Sequence, residues 1–210
     1  MPMSPSTVPP ARRIDAIAIG ASAGGVGALL RLFSVLERGF PLPIFVVLHM
    51  PEDHDSGLAE LFAMRLPIPV AEASDKMPVV PGTLYFAPPG YHLQLETDRS
   101  FSLSCDPPVL YSRPSIDVLF ESAAYAYDTH LAGMLLTGAS EDGAAGLATI
   151  AALGGLTAVQ DPADAQISTM PQAAIDLHAP NYVLPLEGLQ RLLLTLGGQT
   201  NASHATGLPH

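Results

Sequence analysis

Four short, almost continuously apolar runs constrain this chain more than any other feature. They are Ile14-Asp15-Ala16-Ile17-Ala18-Ile19-Gly20, Ile44-Phe45-Val46-Val47-Leu48, Leu131-Ala132-Gly133-Met134-Leu135-Leu136 and Leu156-Thr157-Ala158-Val159-Gln160. Runs of this length that do not alternate polar with apolar read as strands buried on both faces, as in a parallel sheet. Stretches of helical pattern separate them, over 25–37, 56–65, 115–127, 143–153, 171–177 and 187–196. Weaker strand signals fall near Val70 and at Tyr182-Val183-Leu184. Alternation of this kind predicts an α/β fold: one domain, a predominantly parallel sheet and helices on both faces. Residues 83–104 break the pattern. Leu84-Tyr85-Phe86-Ala87, Leu93-Gln94-Leu95-Glu96 and Phe101-Ser102-Leu103, joined by Pro and Gly turns, predict a small antiparallel hairpin excursion. Residues 1–12, rich in Pro and Ser, are expected to be a flexible lead-in, 13–197 the folded domain and 198–210 a flexible tail. There is no internal repeat.

Composition narrows the function. Of 210 residues 48% are apolar, enough for a sizeable core. The formal net charge is −11 and Lys76 is the sole lysine, which argues against nucleic acid as a partner and against an anionic membrane surface. No apolar run approaches the roughly 18–20 residues that span a bilayer, so no direct membrane insertion is expected. The start of the chain lacks the apolar core of a signal peptide. Cys105 is the one cysteine and excludes an intrachain disulfide, and a cytoplasmic setting is expected.

Three residues follow directly on the predicted strands: Ser22, His49 and Asp142. Groups at the carboxyl ends of parallel strands converge on one crevice, and a serine, a histidine and an aspartate meeting there are the parts of an activated nucleophile. Gly20-Ala21-Ser22-Ala23-Gly24-Gly25 fits the G-x-S-x-G turn that lifts a serine off a strand end, with helix N–H groups facing whatever it attacks. The plainer reading of Ser22 is a helix N-cap, of His49 a hydrogen-bonded structural group, and of Asp142 another N-cap. Glu141 competes with Asp142 for the carboxylate role, and spacing alone leaves that choice open. The same glycine-rich turn also suits a dinucleotide pyrophosphate. Against that, the second strand ends in His49 where a ribose-binding acid is expected. Lys76 has Glu72 four residues before it where a short-chain dehydrogenase would have tyrosine. Asp53, His54 and Asp55 lack a recognised metal-ligand spacing, so no metal site is expected there. The chain order Ser, His, Asp differs from the Ser, Asp or Glu, His order of the α/β-hydrolases, which argues against a generic esterase of that fold.

With these residues in hand the chain resembles the catalytic domain of the chemotaxis protein-glutamate methylesterases, the CheB family. The resemblance covers roughly residues 14–186. Its blocks are Ile19-Gly20-Ala21-Ser22-Ala23-Gly24-Gly25, Leu48-His49-Met50-Pro51, Pro81-Gly82-Thr83-Leu84-Tyr85-Phe86-Ala87-Pro88 and Ser112-Arg113-Pro114-Ser115-Ile116-Asp117. They continue with Leu136-Thr137-Gly138, Asp142-Gly143-Ala144, Val159-Gln160-Asp161 and Met170-Pro171. The resemblance implies Ser22 as nucleophile, His49 as general base and Asp142, rather than Glu141, as the residue that orients it. It implies hydrolysis of glutamate γ-methyl esters on methylated chemoreceptors with release of methanol, deamidation of receptor glutamines, and no cofactor. The backbone N–H groups of Ala23 and Ala139 are expected to hold the oxyanion, and Arg113 to face the cleft and contact substrate. Ala23 stands where better-known members carry threonine, Ala139-Ser140 where they carry methionine and glycine, and Leu48 where glutamine is common. Typical members carry a receiver domain ahead of the catalytic one. With only residues 1–12 before the first strand, a stand-alone form is expected. The competing class is a non-catalytic signalling module on the same fold.

Overall fold

The computed structural model describes residues 13–50 and 57–205, with side chains to 198. The stretch with Asp53, His54 and Asp55, the flexible lead-in expected over 1–12 and the last five residues of the expected tail lie outside the described residues. The elements run in the order β1 (Ala16–Ala21), α1 (Gly25–Phe33), β2 (Ile44–Leu48), α2 (Leu58–Ala63), β3 (Val70–Glu72), β4 (Leu84–Phe86), β5 (His92–Leu95) and β6 (Phe101–Ser104). They continue with α3 (Ile116–Tyr127), β7 (Leu131–Leu135), α4 (Ala144–Ala152), β8 (Leu156–Gln160), α5 (Thr169–Leu177), β9 (Tyr182–Leu184) and α6 (Leu186–Ala205).

Seven strands form one parallel sheet in the order β3-β4-β2-β1-β7-β8-β9. The apolar runs behave as their composition dictates: every residue of β1, β2, β7 and β8 is buried. Side chains alternate between two cores. On one face Ile17, Ile19, Val46 and Met134 pack against Leu29, Leu32 and Phe33 of α1, Phe62 of α2 and Leu189 and Leu193 of α6. On the other Ala16, Ala18, Phe45 and Val47 meet Leu119, Phe120 and Ala123 of α3, Leu147 and Ile150 of α4, Met170 and Ala174 of α5, and Leu93, Leu95 and Phe101 of the hairpin. Phe62 lies 4.9 Å from Phe86 and 6.1 Å from Phe33 between ring centroids, and each ring so buried contributes roughly 1.5–3 kcal/mol.

One expectation is corrected. Leu84, Tyr85 and Phe86 are not part of the antiparallel excursion. They form β4, inside the main sheet between β2 and β3 and parallel to both. All three are buried, so this run needs cover on both faces, which a small outlying hairpin cannot supply. Only β5 and β6 pair antiparallel, with Leu93 opposite Leu103. Helix α6 also continues to Ala205, well past the 187–196 pattern. Among the described residues no helix is long and apolar enough to cross a membrane.

The sheet order reverses at β1, whose neighbours are β2 on one side and β7 on the other. At such a switch point two loops leave the strand ends in opposite directions and open a crevice. Ser22 follows β1, and His49 follows β2; Asp142 lies seven residues beyond the end of β7.

Candidate active site

Two strand-to-helix turns build one wall of the crevice. Ser22 leaves β1 with its N–H donated to Thr137 O (2.9 Å), and Gly25 N returns to Ser22 O (2.8 Å), closing a tight turn. Gly24 at the N-cap of α1 has φ +78°, a left-handed conformation that glycine takes without steric cost. The Thr137 hydroxyl donates to Ala23 O (2.9 Å), tying the two turns together. A Cβ on Gly138 would come within 2.6 Å of Met170 Sδ and 2.9 Å of Ser22 Cβ, so the second turn presses directly on the serine. Among the described residues the Ser22 hydroxyl makes no hydrogen bond, and the N–H groups of Ala23 and Ala139 donate to no acceptor; both alanines are exposed.

The opposite wall is knitted. His49 Nε2 lies 2.7 Å from Asp142 Oδ2. Asp142 is fully buried and accepts three more hydrogen bonds: Ser115 Oγ (2.8 Å) and Asp117 N (3.0 Å) on Oδ1, and Ile116 N (2.7 Å) on Oδ2. The Ile116 and Asp117 donors are orphan N–H groups of the first turn of α3, so the carboxylate sits at a helix N-terminus. Burial works to raise the Asp142 carboxyl. The His49 bond, the N–H groups of Asp117 and Ile116 and the Ser115 hydroxyl outweigh it and hold the group below the usual carboxylate range. The ionised carboxylate only accepts, so Nε2 of His49 carries the ring proton and Nδ1 is left as the basic nitrogen. Ser112 Oγ is 3.3 Å from that Nδ1. The serine-protease template places Nδ1 toward the aspartate; here Nε2 takes that place.

The capping is reciprocal. Asp117, in the first turn of α3, accepts Gly143 N (2.9 Å) and Gly146 N (2.6 Å) on Oδ1, at the start of α4. Burial pushes the Asp117 carboxyl up to about 6, against the Gly146 N–H, and the Asp142 charge adds to the rise. Behind them His92, 1% exposed, accepts Ser115 N on Nδ1 (3.1 Å) and donates from Nε2 to Pro107 O (3.2 Å), which fixes the orientation of the ring. Glu141, the competing carboxylate, is exposed, whereas Asp142 is fully buried. Arg113 turns its NH1 to Cys105 O and Asp106 O, both at 3.1 Å, and so ties the loop after β6 to the segment before α3.

Sequence reasoning therefore named three residues that the fold brings to one end of the sheet, with a direct contact between His49 and Asp142. It missed Ser112, His92 and Asp117. The first and last of these lie in the block Ser112-Arg113-Pro114-Ser115-Ile116-Asp117, and a serine just ahead of an N-cap was the available signal. His92 sits in the hairpin, and nothing local announces its contact with Ser115.

Arrangement and sequence can be set beside known proteins. The family model described as CheB methylesterase matches residues 17–193. A Leptospira interrogans protein provisionally named protein-glutamate methylesterase/protein-glutamine glutaminase is 43% identical over 182 residues, covering 87% of this chain and 94% of that protein. An Anaeromyxobacter dehalogenans protein named protein-glutamate methylesterase/protein-glutamine glutaminase 2 is 41% identical over 186 residues, 89% of this chain but 54% of that longer protein. The crystal structure of the Thermotoga maritima CheB methylesterase catalytic domain superposes with a TM-score of 0.83 at 31% identity, over 87% of this chain and 98% of that one. A family match across almost the whole sheet and relatives this similar leave one conclusion: the chain belongs to the CheB methylesterase family.

Proposed function

We propose that the chain is a protein-glutamate methylesterase that hydrolyses glutamate γ-methyl esters on the cytoplasmic region of methylated chemoreceptors and also deamidates selected glutamines. The carrying observation is the His49–Asp142 pair at 2.7 Å, with Nδ1 of His49 left as the base and β2 paired with β1, the strand that Ser22 follows. In the first half-reaction Ser22 Oγ forms a bond to the ester carbonyl carbon and passes its proton to His49 Nδ1. The tetrahedral oxyanion faces the N–H groups of Ala23 and Ala139. Collapse breaks the bond to the methoxy oxygen, which takes the proton from Nδ1 and leaves as methanol. Water then attacks the acyl-enzyme by the same route and restores Ser22 and a free glutamate. With a glutamine the leaving group is ammonia. Asp142 holds the ring orientation and stabilises the imidazolium without taking the proton itself.

The test is methanol release from a methylated receptor fragment by purified protein. Turnover that disappears in Ser22→Ala supports the reading. Absence of turnover together with failure of a serine-directed fluorophosphonate to label Ser22 overturns it.

A further inference from the structure

Immediately before α3 the backbone makes a two-residue turn over 109–112. Val109 N donates to Ser112 O (3.1 Å) and Ser112 N donates back to Val109 O (2.8 Å). The two central residues, Leu110 and Tyr111, have φ of +45° and +65°. Two successive left-handed residues closed by reciprocal bonds make a type I′ turn, the geometry that Asn-Gly satisfies without strain. Here it holds a leucine and a tyrosine, both carrying a Cβ that opposes this conformation. Packing compensates nothing at Tyr111, 102% exposed, and only in part at Leu110, 49% exposed. A strained backbone whose apolar side chains are presented to solvent points to function at that spot.

Its position says which function. The next residue, Ser112, has its hydroxyl 3.3 Å from His49 Nδ1. Successive Cα atoms are about 3.8 Å apart, so Leu110 and Tyr111 lie one or two residues from Ser112, the residue that touches His49. The charge of the chain favours an apolar contact there. At −11 overall it repels a segment bearing glutamates at long range, and a short-range apolar grip is insensitive to that repulsion.

We propose that Leu110 and Tyr111 form a docking tip that grips apolar side chains flanking the esterified glutamate on the substrate polypeptide, and so hold the ester against Ser22. This rests on the methylesterase reading and names how that site recognises a protein. The tip serves the polypeptide and not the chemistry, so it contributes to engagement of a protein substrate and nothing to the reactivity of Ser22.

The experiment replaces the tip by the sequence its backbone prefers: Leu110→Asn with Tyr111→Gly. Three readouts are taken on the full chain: thermal stability, the rate of Ser22 labelling by an alkyl fluorophosphonate, and kcat/KM on a methylated receptor fragment. Relief of strain should raise Tm by roughly 2–4 °C. Labelling should stay within twofold of the unaltered protein, and kcat/KM on the fragment should fall tenfold or more, through KM. Tyr111→Phe should retain turnover within twofold, because the ring and not the hydroxyl makes the grip. Labelling and receptor turnover falling together would overturn the proposal, since the turn would then only support His49 through Ser112. Unchanged receptor turnover would overturn it too. Failure of the function reading shows elsewhere and first: the unaltered protein would neither be labelled at Ser22 nor release methanol.

Discussion

The two walls of the crevice are built on opposite plans. Asp142 is fully buried, accepts four hydrogen bonds and holds a helix N-terminus as well as His49. Ser22 is half-buried, and its hydroxyl makes no hydrogen bond among the described residues; the N–H groups beside it at Ala23 are open as well. In the proposed mechanism the wall carrying His49 and Asp142 has to be preorganised, because the imidazole must keep one tautomer and one orientation through both half-reactions. On the same proposal the wall carrying Ser22 is open because its partners would arrive with the substrate. Hydrogen bonds of an unliganded site also tighten when a substrate binds. The physical lesson is that stability and catalysis are coupled on one wall and separated on the other.

The sharpest way to break this comparison is to remove one group from each wall. Ser22→Ala should lower kcat on the receptor ester by about 10⁴ or more, while urea unfolding changes by less than about 0.5 kcal/mol. Asp142→Asn should cost about 10⁴ in kcat through the wrong His49 tautomer. It should also destabilise the fold by roughly 1–3 kcal/mol, because an amide nitrogen then faces donors that the carboxylate accepted. Equal destabilisation by both variants would abolish the distinction between the walls. A larger kcat loss in Glu141→Gln than in Asp142→Asn would move the orienting role to the neighbouring residue.

A smaller effect sharpens the comparison within the knitted wall, where Asp117 and Asp142 cap each other's helices and titrate in opposite directions. Asp142 lies below the usual range, so its contribution is present at neutral pH and is lost as pH falls through its folded-state value. Asp117 is raised to about 6. Between the ordinary carboxylate value and about 6 the folded protein keeps a proton that the unfolded chain has released, so stability falls as pH rises through that window. Asp117→Asn stays neutral and retains Oδ1 as the acceptor for Gly143 and Gly146. It should flatten that decline and raise stability at pH 7.5 by roughly 1–3 kcal/mol. Urea midpoints at pH 4.5 and pH 7.5 provide the check. A variant less stable than the unaltered protein at both pH values would show that the charge on Asp117 supports the α4 terminus.

The amino-acid sequence carried the central sheet, because Ile17–Ile19, Phe45–Val47 and their counterparts are too apolar and too short to be anything but strands covered on both faces. It carried Ser22 and His49 for the same reason, as the first polar group after a buried strand must emerge at the carboxyl end of the sheet; Asp142 lies farther along, in the turn beyond β7. Choosing Asp142 over Glu141 required the family resemblance, since adjacent carboxylates in a turn are equivalent until one of them is buried. What the chain alone left undecided was pairing over distance. Leu84-Tyr85-Phe86 carries the same local signal whether it joins a hairpin or slots between β2 and β3. Only the space left on both faces there, filled from elements far away in the chain, decided for the sheet. Tertiary structure likewise decided which ring nitrogen of His49 meets Asp142, that Asp142 and Asp117 cap each other's helices, and that a strained turn carries Ser112 to the base. Each of these is a contact between groups 25 or more residues apart along the chain. Periodicity and local propensity describe how a segment arranges itself. They hold no record of which distant donor completes a buried acceptor, and that is set by packing the layers together.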